Sequence, residues 1–131
     1  MKLMKTKHAD SLYALFRILL GTLFFMYGLK NLFGVWAAAP VVPYSLGWFA
    51  GAGEFLIGLG LMTGVLVRLA SFFGIIEMLV AFYTHTAGGD WNPITNKGGA
   101  ALTFVIAFLP LLAYGAKKWG LEKKVFGKEY F

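Results

Sequence analysis

Apolar residues are grouped along this chain in four long runs separated by short stretches of turn residues. The first, SLYALFRILLGTLFFMYGLKNLF, extends from Ser11 to Phe33. The others occupy 44–66, 68–87 and 99–115. A helix needs about 20 apolar residues to cross a hydrocarbon layer about 30 Å thick, so each run predicts a membrane span, the fourth being the shortest. Pro40 and Pro43 interrupt the first long connection, and Gly88, Gly89, Pro93 and Gly98 the second. Lipid cannot satisfy the free edge of an open sheet. The pattern therefore predicts an all-α membrane protein: one domain over residues 1–131, a four-helix up-down-up-down bundle with tails at 1–10 and 116–131. The first run is too long for the core of a signal peptide, contains Arg17, and has no small-residue cleavage motif at its end. It is expected to remain as a span.

Composition agrees with that pattern. Hydrophobic residues make up 59% of the chain and charged residues 14%, whereas a soluble domain averages about 45–50% and about 25%. The absence of cysteine excludes disulfides, thiol nucleophiles and thiolate metal sites within this chain. A bis-histidine haem cannot be assembled in one copy, because His8 lies in the N-terminal tail and His85 at the far end of the third span. No other metal-ligand spacing, phosphate-binding loop or nucleophile elbow is present.

The net charge of +6 changes the picture through its distribution. Lys2, Lys5, Lys7, Lys117, Lys118, Lys123, Lys124 and Lys128 flank the apolar region, and Arg68 lies in the connection between the second and third spans. The two remaining connections contain only Lys97. The positive-inside rule then predicts that both termini are cytoplasmic. With no basic face between the flanks, a nucleic-acid partner is not indicated. The expected surroundings are the lipid bilayer and other membrane subunits.

Two acids interrupt the greasy segments. Glu54 lies near the centre of the second run, about 15 Å from either surface, and Glu77 lies about 13 Å beyond Arg68 in the third. A charged residue at a span's centre costs about 2.5–3.5 kcal/mol, so such groups normally face the bundle, pair, and mark function. Helical spacing supports that placement. Gly47, Gly51, Glu54 and Gly58 share one face, as do Gly74, Glu77, Ala81 and Thr84; on the first span, Arg17, Gly21 and Gly28 share another. Small residues at these steps allow close helix packing. Arg17 is expected either to reach Glu54 as a buried ion pair or to snorkel to the cytoplasmic surface. Glu77 is expected to be protonated or linked to Lys30 or His85. His85, at the outer rim, is either a proton or quinone contact or an interfacial histidine beside Tyr83 and Trp91.

Taken together, Arg17-x3-Gly21, Gly28-x-Lys30 and Glu54-x3-Gly58-x5-Gly64-x3-Arg68-x-Ala70 resemble the DoxX/DoxD-like membrane proteins. So does His85 with a Trp-containing turn and Gly98-Gly99 after it. The resemblance spans about Leu12 to Gly115. It implies a four-helix protein of the prokaryotic cytoplasmic membrane, with one branch associated with thiosulfate:quinone oxidoreductase and others with redox or oxidative-stress assemblies. The function expected from it is a quinone-interacting subunit of a membrane oxidoreductase, with quinone as a non-covalent cofactor. Glu54 and Glu77 would handle protons, and Arg17, Lys30, His85 and Trp91 would be further quinone contacts. Alternatives are a structural or assembly subunit of a redox complex and, third, a small proton-coupled transporter.

Overall fold

The computed structural model describes residues 6–128, with side chains from His8 onward. Lys2 and Lys5, and the side chain of Lys7, lie outside the described residues. The helices are α1 (Thr6–Phe33), α2 (Leu46–Thr63), α3 (Val67–His85), α4 (Gly99–Tyr114) and a short α5 (Leu121–Phe126). No strand occurs among the described residues. At about 1.5 Å per residue, α2 and α3 extend about 27 and 28 Å, close to the hydrocarbon thickness. α1, α2 and α3 are long and apolar enough to cross a membrane, while α4, with 16 residues, is a shorter apolar helix.

The ends of the apolar runs and the ends of the helices coincide closely except at the start. α1 begins five residues before Ser11, because hydropathy marks where lipid begins whereas a helix can continue through polar residues into water. Ser45 caps α2, its hydroxyl accepting from the Trp48 N–H at 3.2 Å. Gly64 ends α2 in the left-handed region, with φ of 74°, which an L side chain adopts at a cost.

α1 packs chiefly on α2, α3 on α4, and α2 less extensively on α3. The first contact is made almost backbone to backbone. A Cβ added at Gly28 would lie 2.5 Å from the Phe55 nitrogen, and one at Gly58 would lie 2.6 Å from the Phe25 nitrogen. At Gly21 it would lie 2.7 Å from the Leu61 Cβ, and at Gly51 2.7 Å from the Asn31 Cβ. Each step forward along α1 is thus matched by a step back along α2, which fixes an antiparallel register. Gly47 is not part of this seam: an added Cβ there would meet Val41 in ordinary contact at 3.7 Å.

The remaining interior is filled by rings. Phe24 of α1 meets Phe104 and Phe108 of α4 edge-on, each with ring centroids 5.3 Å apart. Phe108 also lies against Gly74, where an added Cβ would come within 2.6 Å of the ring. The buried positions of α3 are Val67, Ser71, Gly74 and Met78, at steps of four, three and four. That face is rotated by one residue from the Gly74–Glu77–Ala81–Thr84 stripe read from the sequence. Outward-facing positions carry Leu19, Leu56, Phe73 and Ile106, all exposed. Large apolar side chains outside and an arginine and a glutamate inside is the arrangement expected when the surrounding solvent is lipid.

The glycine seam generates a direct test. Gly28→Ala places a methyl group against the α2 backbone, which cannot move aside as a flexible side chain can. Overpacking of this kind costs about 1–3 kcal/mol. The variant is expected to unfold at lower denaturant than wild type in mild detergent, whereas Gly88→Ala, where no atom lies within 4 Å, is expected to leave the midpoint unchanged.

Candidate functional site

The three interior charges are held in three different ways. Arg17 is completely buried (0% exposed). Its guanidinium donates to the carbonyl oxygens of Ala116 at 2.7 Å, Lys118 at 2.9 Å and Trp119 at 3.1 Å. Tyr13, one turn earlier on the same helix, donates its hydroxyl to the Gly115 carbonyl at 2.7 Å. Lys118 reaches the Ser11 hydroxyl at 3.0 Å. Residues 115–120 are therefore strapped across the end of the bundle where α1 begins and α2 turns into α3, instead of trailing away as a tail.

The expected Arg17–Glu54 pair does not form, and the register of the α1–α2 seam explains why. Arg17 falls level with the end of α2, where an added Cβ at Gly64 would be 3.2 Å from its Nη1. Glu54 lies ten residues earlier on α2, about 15 Å along the axis, beyond the reach of one side chain. Glu54 instead accepts a 2.8 Å hydrogen bond from Asn31 Nδ2. It is buried, at 8% exposure, and Lys30, in the last turn of α1, is its cationic neighbour. Asn31 was not singled out in the sequence, although Ala14, Arg17, Gly21, Phe24, Gly28 and Asn31 recur at steps of three and four along one face.

Glu77 occupies the second interface. Its carboxylate rests on the α2 backbone at Gly53, where an added Cβ would come within 2.5 Å of Oε2. The two acids are thus brought together across α2 and α3, within electrostatic range of one another. Glu77 Oε1 is buried and has no hydrogen-bond partner among the described residues. Neither the Lys30 link nor the His85 link expected for Glu77 is present among them. His85 is exposed at the end of α3.

Around Glu77 the facing sides of α2 and α3 form a groove of about 800 Å³. Its walls include Phe49, Ile57, Phe73 and Val80, with Thr84 near the C-terminal end of α3. A second hollow, about 510 Å³, shares Leu56, Ile57 and Phe73 with the first and continues toward the α2–α3 turn. Gly53 is the reason the groove reaches Glu77, since any larger residue would fill the space the carboxylate occupies. The groove is apolar along its length, and among the described residues the Glu77 carboxyl is its one ionisable lining group.

Trp91 does not reach the groove. It is exposed and packs against Phe82 and Tyr83, with centroid distances of 6.5 and 6.2 Å, as an interfacial aromatic would. The loop carrying it is organised by Asp90, which accepts from the Thr95 hydroxyl at 2.6 Å and the Asn92 N–H at 2.9 Å. Those two bonds hold the Asp90 carboxyl below the usual carboxylate range. Among the described residues, no three His, Asp or Glu side chains are grouped as metal ligands.

This architecture defines a small multi-pass helical membrane protein with a glycine-packed helical hairpin and a carboxyl-bearing groove. The DoxX family model matches residues 12–87, more than half of the chain, and the protein belongs to that family. It is 35% identical over 82 residues to an uncharacterized protein of Haemophilus influenzae, a match covering 60% of this chain and 61% of that relative. The chain thus aligns with less than two thirds of that relative's length. No solved structure matches.

Two substitutions separate the roles of the interior polar groups. Asn31→Ala leaves the Glu54 carboxyl buried without its amide donor, at a cost of about 1–3 kcal/mol; unfolding in detergent is expected at lower denaturant, with Glu54→Gln milder because the side chain keeps its shape and an acceptor. Arg17→Met removes three charge-assisted bonds to the 116–119 strap. Since each is worth about 1.5–3 kcal/mol, trypsin cleavage after Lys117, Lys118 or Lys123 is expected to accelerate about tenfold or more, with α1–α3 remaining intact.

Proposed function

We propose that this protein is a quinone-binding subunit of a membrane oxidoreductase, the quinone lying in the groove between α2 and α3. The observation that carries this reading is that Glu77, one of whose carboxyl oxygens has no hydrogen-bond partner among the described residues, lies in the lining of an otherwise apolar groove. A quinone has matching chemistry: a flat ring with hydrogen-bonding oxygens attached to a long hydrocarbon tail. The ring sits at Glu77, and the tail runs along the second hollow beside Leu56 and Phe73. Burial of the apolar ligand contributes most of the affinity, and the polar contact sets its position.

Reduction of a quinone to a quinol takes up two electrons and two protons. The chain contains no cysteine, so neither a dithiol nor a thiolate-bound cluster supplies electrons from within it. They are assigned to a partner subunit, with Glu77 giving a proton to, or taking one from, the ring oxygen. The strap-bound Arg17 and the Asn31-bound Glu54 are then part of the scaffold. In this reading the location is the prokaryotic cytoplasmic membrane, with α4 completing the four spans and the lysine-rich end facing the cytoplasm.

A second reading, an anchoring or assembly subunit of a redox complex, is favoured by the use of both Arg17 and Glu54 in holding the fold. The two readings diverge at Glu77. Wild-type protein purified in mild detergent is expected to carry extractable quinone. Glu77→Leu is expected to weaken binding of a short-chain quinone by about three- to tenfold, the value of one hydrogen bond. Quinone-free wild type that also fails to bind added quinone would exclude the groove as a quinone site and leave the assembly reading.

A further inference from the structure

The strap and α5 create a surface separate from the groove. α4 is only 16 residues long, about 24 Å, so the chain leaves it near the boundary of the hydrocarbon layer. From there Arg17 and Tyr13 hold residues 115–119 against the bundle, and α5 begins at Leu121. Trp119 and Phe126 are 58% and 64% exposed, and Leu121 and Val125 are exposed as well. In water these four residues would form a costly apolar patch. At the edge of a bilayer Leu121, Val125 and Phe126 would be covered by acyl chains and Trp119 would suit headgroup depth.

Beside that patch is a hollow of about 610 Å³ whose lining includes Lys118, Lys123 and Lys124 together with Trp119 and Gly120. Lys118 also lies 5.5 Å from the Trp119 ring centroid. Lys117 also lines this hollow, which gives four lysines. Two acids lie near them: Asp10, 3.6 Å from Lys117 and lining an adjoining hollow with Lys118 and Lys123, and the buried Glu122. The lysines outnumber the acids, so the net charge stays positive. Lys123 and Lys124 are exposed.

We propose that this hollow binds the phosphate headgroup of an anionic phospholipid from the adjacent leaflet. The lysines would contact the phosphate, and the acyl chains would lie along Trp119, Leu121 and Phe126. Two complementarities select this occupant. A basic cavity fits an anion, and apolar residues at the bilayer edge fit that anion's own hydrocarbon. A soluble acidic partner satisfies only the first. The proposal requires membrane embedding and is independent of quinone binding in the groove.

The test uses full-length protein reconstituted in nanodiscs of mixed phosphatidylcholine and phosphatidylglycerol, with bound lipid read by native mass spectrometry after partial delipidation. Wild type is expected to retain phosphatidylglycerol over phosphatidylcholine. Lys123→Gln with Lys124→Gln is expected to lower that preference by roughly tenfold, while Lys97→Gln, a change of the same kind in the opposite loop, leaves it intact. The wild-type preference is expected to fall as salt rises. Both variants alter exposed side chains, and size-exclusion profiles will report their folding. Equal retention of the two lipids by wild type, or unchanged selectivity in the double variant, would overturn the proposal. So would binding of an acidic soluble protein that displaces no lipid.

Discussion

The close approach of α1 and α2 through Gly21, Gly28, Gly51 and Gly58 is the contact on which the rest of the structure depends. In lipid there is no hydrophobic force pressing helices together, because acyl chains are as apolar as leucine. Association then relies on dispersion between closely packed surfaces, and removing Cβ atoms from both sides lets two backbones touch. That contact also acts as a ruler. With Gly28 against Phe55 and Gly58 against Phe25, sliding by one turn would drive side chains into backbone. The register consequently decides where every polar group on these helices is found.

The three interior charges divide the labour under that register. A desolvated polar group must be satisfied locally, since no water competes for it. The two terminal nitrogens of Arg17 meet that requirement with backbone carbonyls, and its planar fork is suited to holding several at once. The same bonds bind the strap that closes the bundle. Glu54 meets it with the amide of Asn31, which joins α1 to α2 at the end of the seam nearest the connection between them. Glu77 is left with one oxygen unanswered at the edge of a groove. Two of the charges are tied into the fold, and the third is the one the proposed function assigns to a ligand.

The family match ends at residue 87. It takes in α1 from Leu12 onward, α2 and α3, hence the glycine seam, both acids and the whole groove. The strap, α5 and the lysine-lined hollow lie outside it. The groove is accordingly a feature built from family-matched sequence, and the hollow one built from the remainder of this chain. Strap and second hollow nonetheless share the α2–α3 turn: Gly64 packs against Gly120 and Arg17, and Val65 and Leu66 beside it line that hollow.

The sequence by itself determined the class of fold and most helix boundaries. Apolar run length is set by bilayer thickness, and proline and glycine clusters mark the breaks; α4 begins at Gly99 as its run does. The inward placement of Glu54 was legible for the same kind of reason, since its glycine neighbours at helical steps define a packing face. Tertiary structure alone decided the partners. Which residues of α1 stand level with Glu54 depends on an antiparallel register that no single helix encodes, and that register replaced Arg17 with Asn31. The burial of α3 depends on where α4 presents Phe108, and this rotated the core face by one residue and left Glu77 at a groove. The strap was invisible for a related reason. A polar, lysine-rich segment carries no periodic signal of its own, and its place is set by an arginine about a hundred residues away.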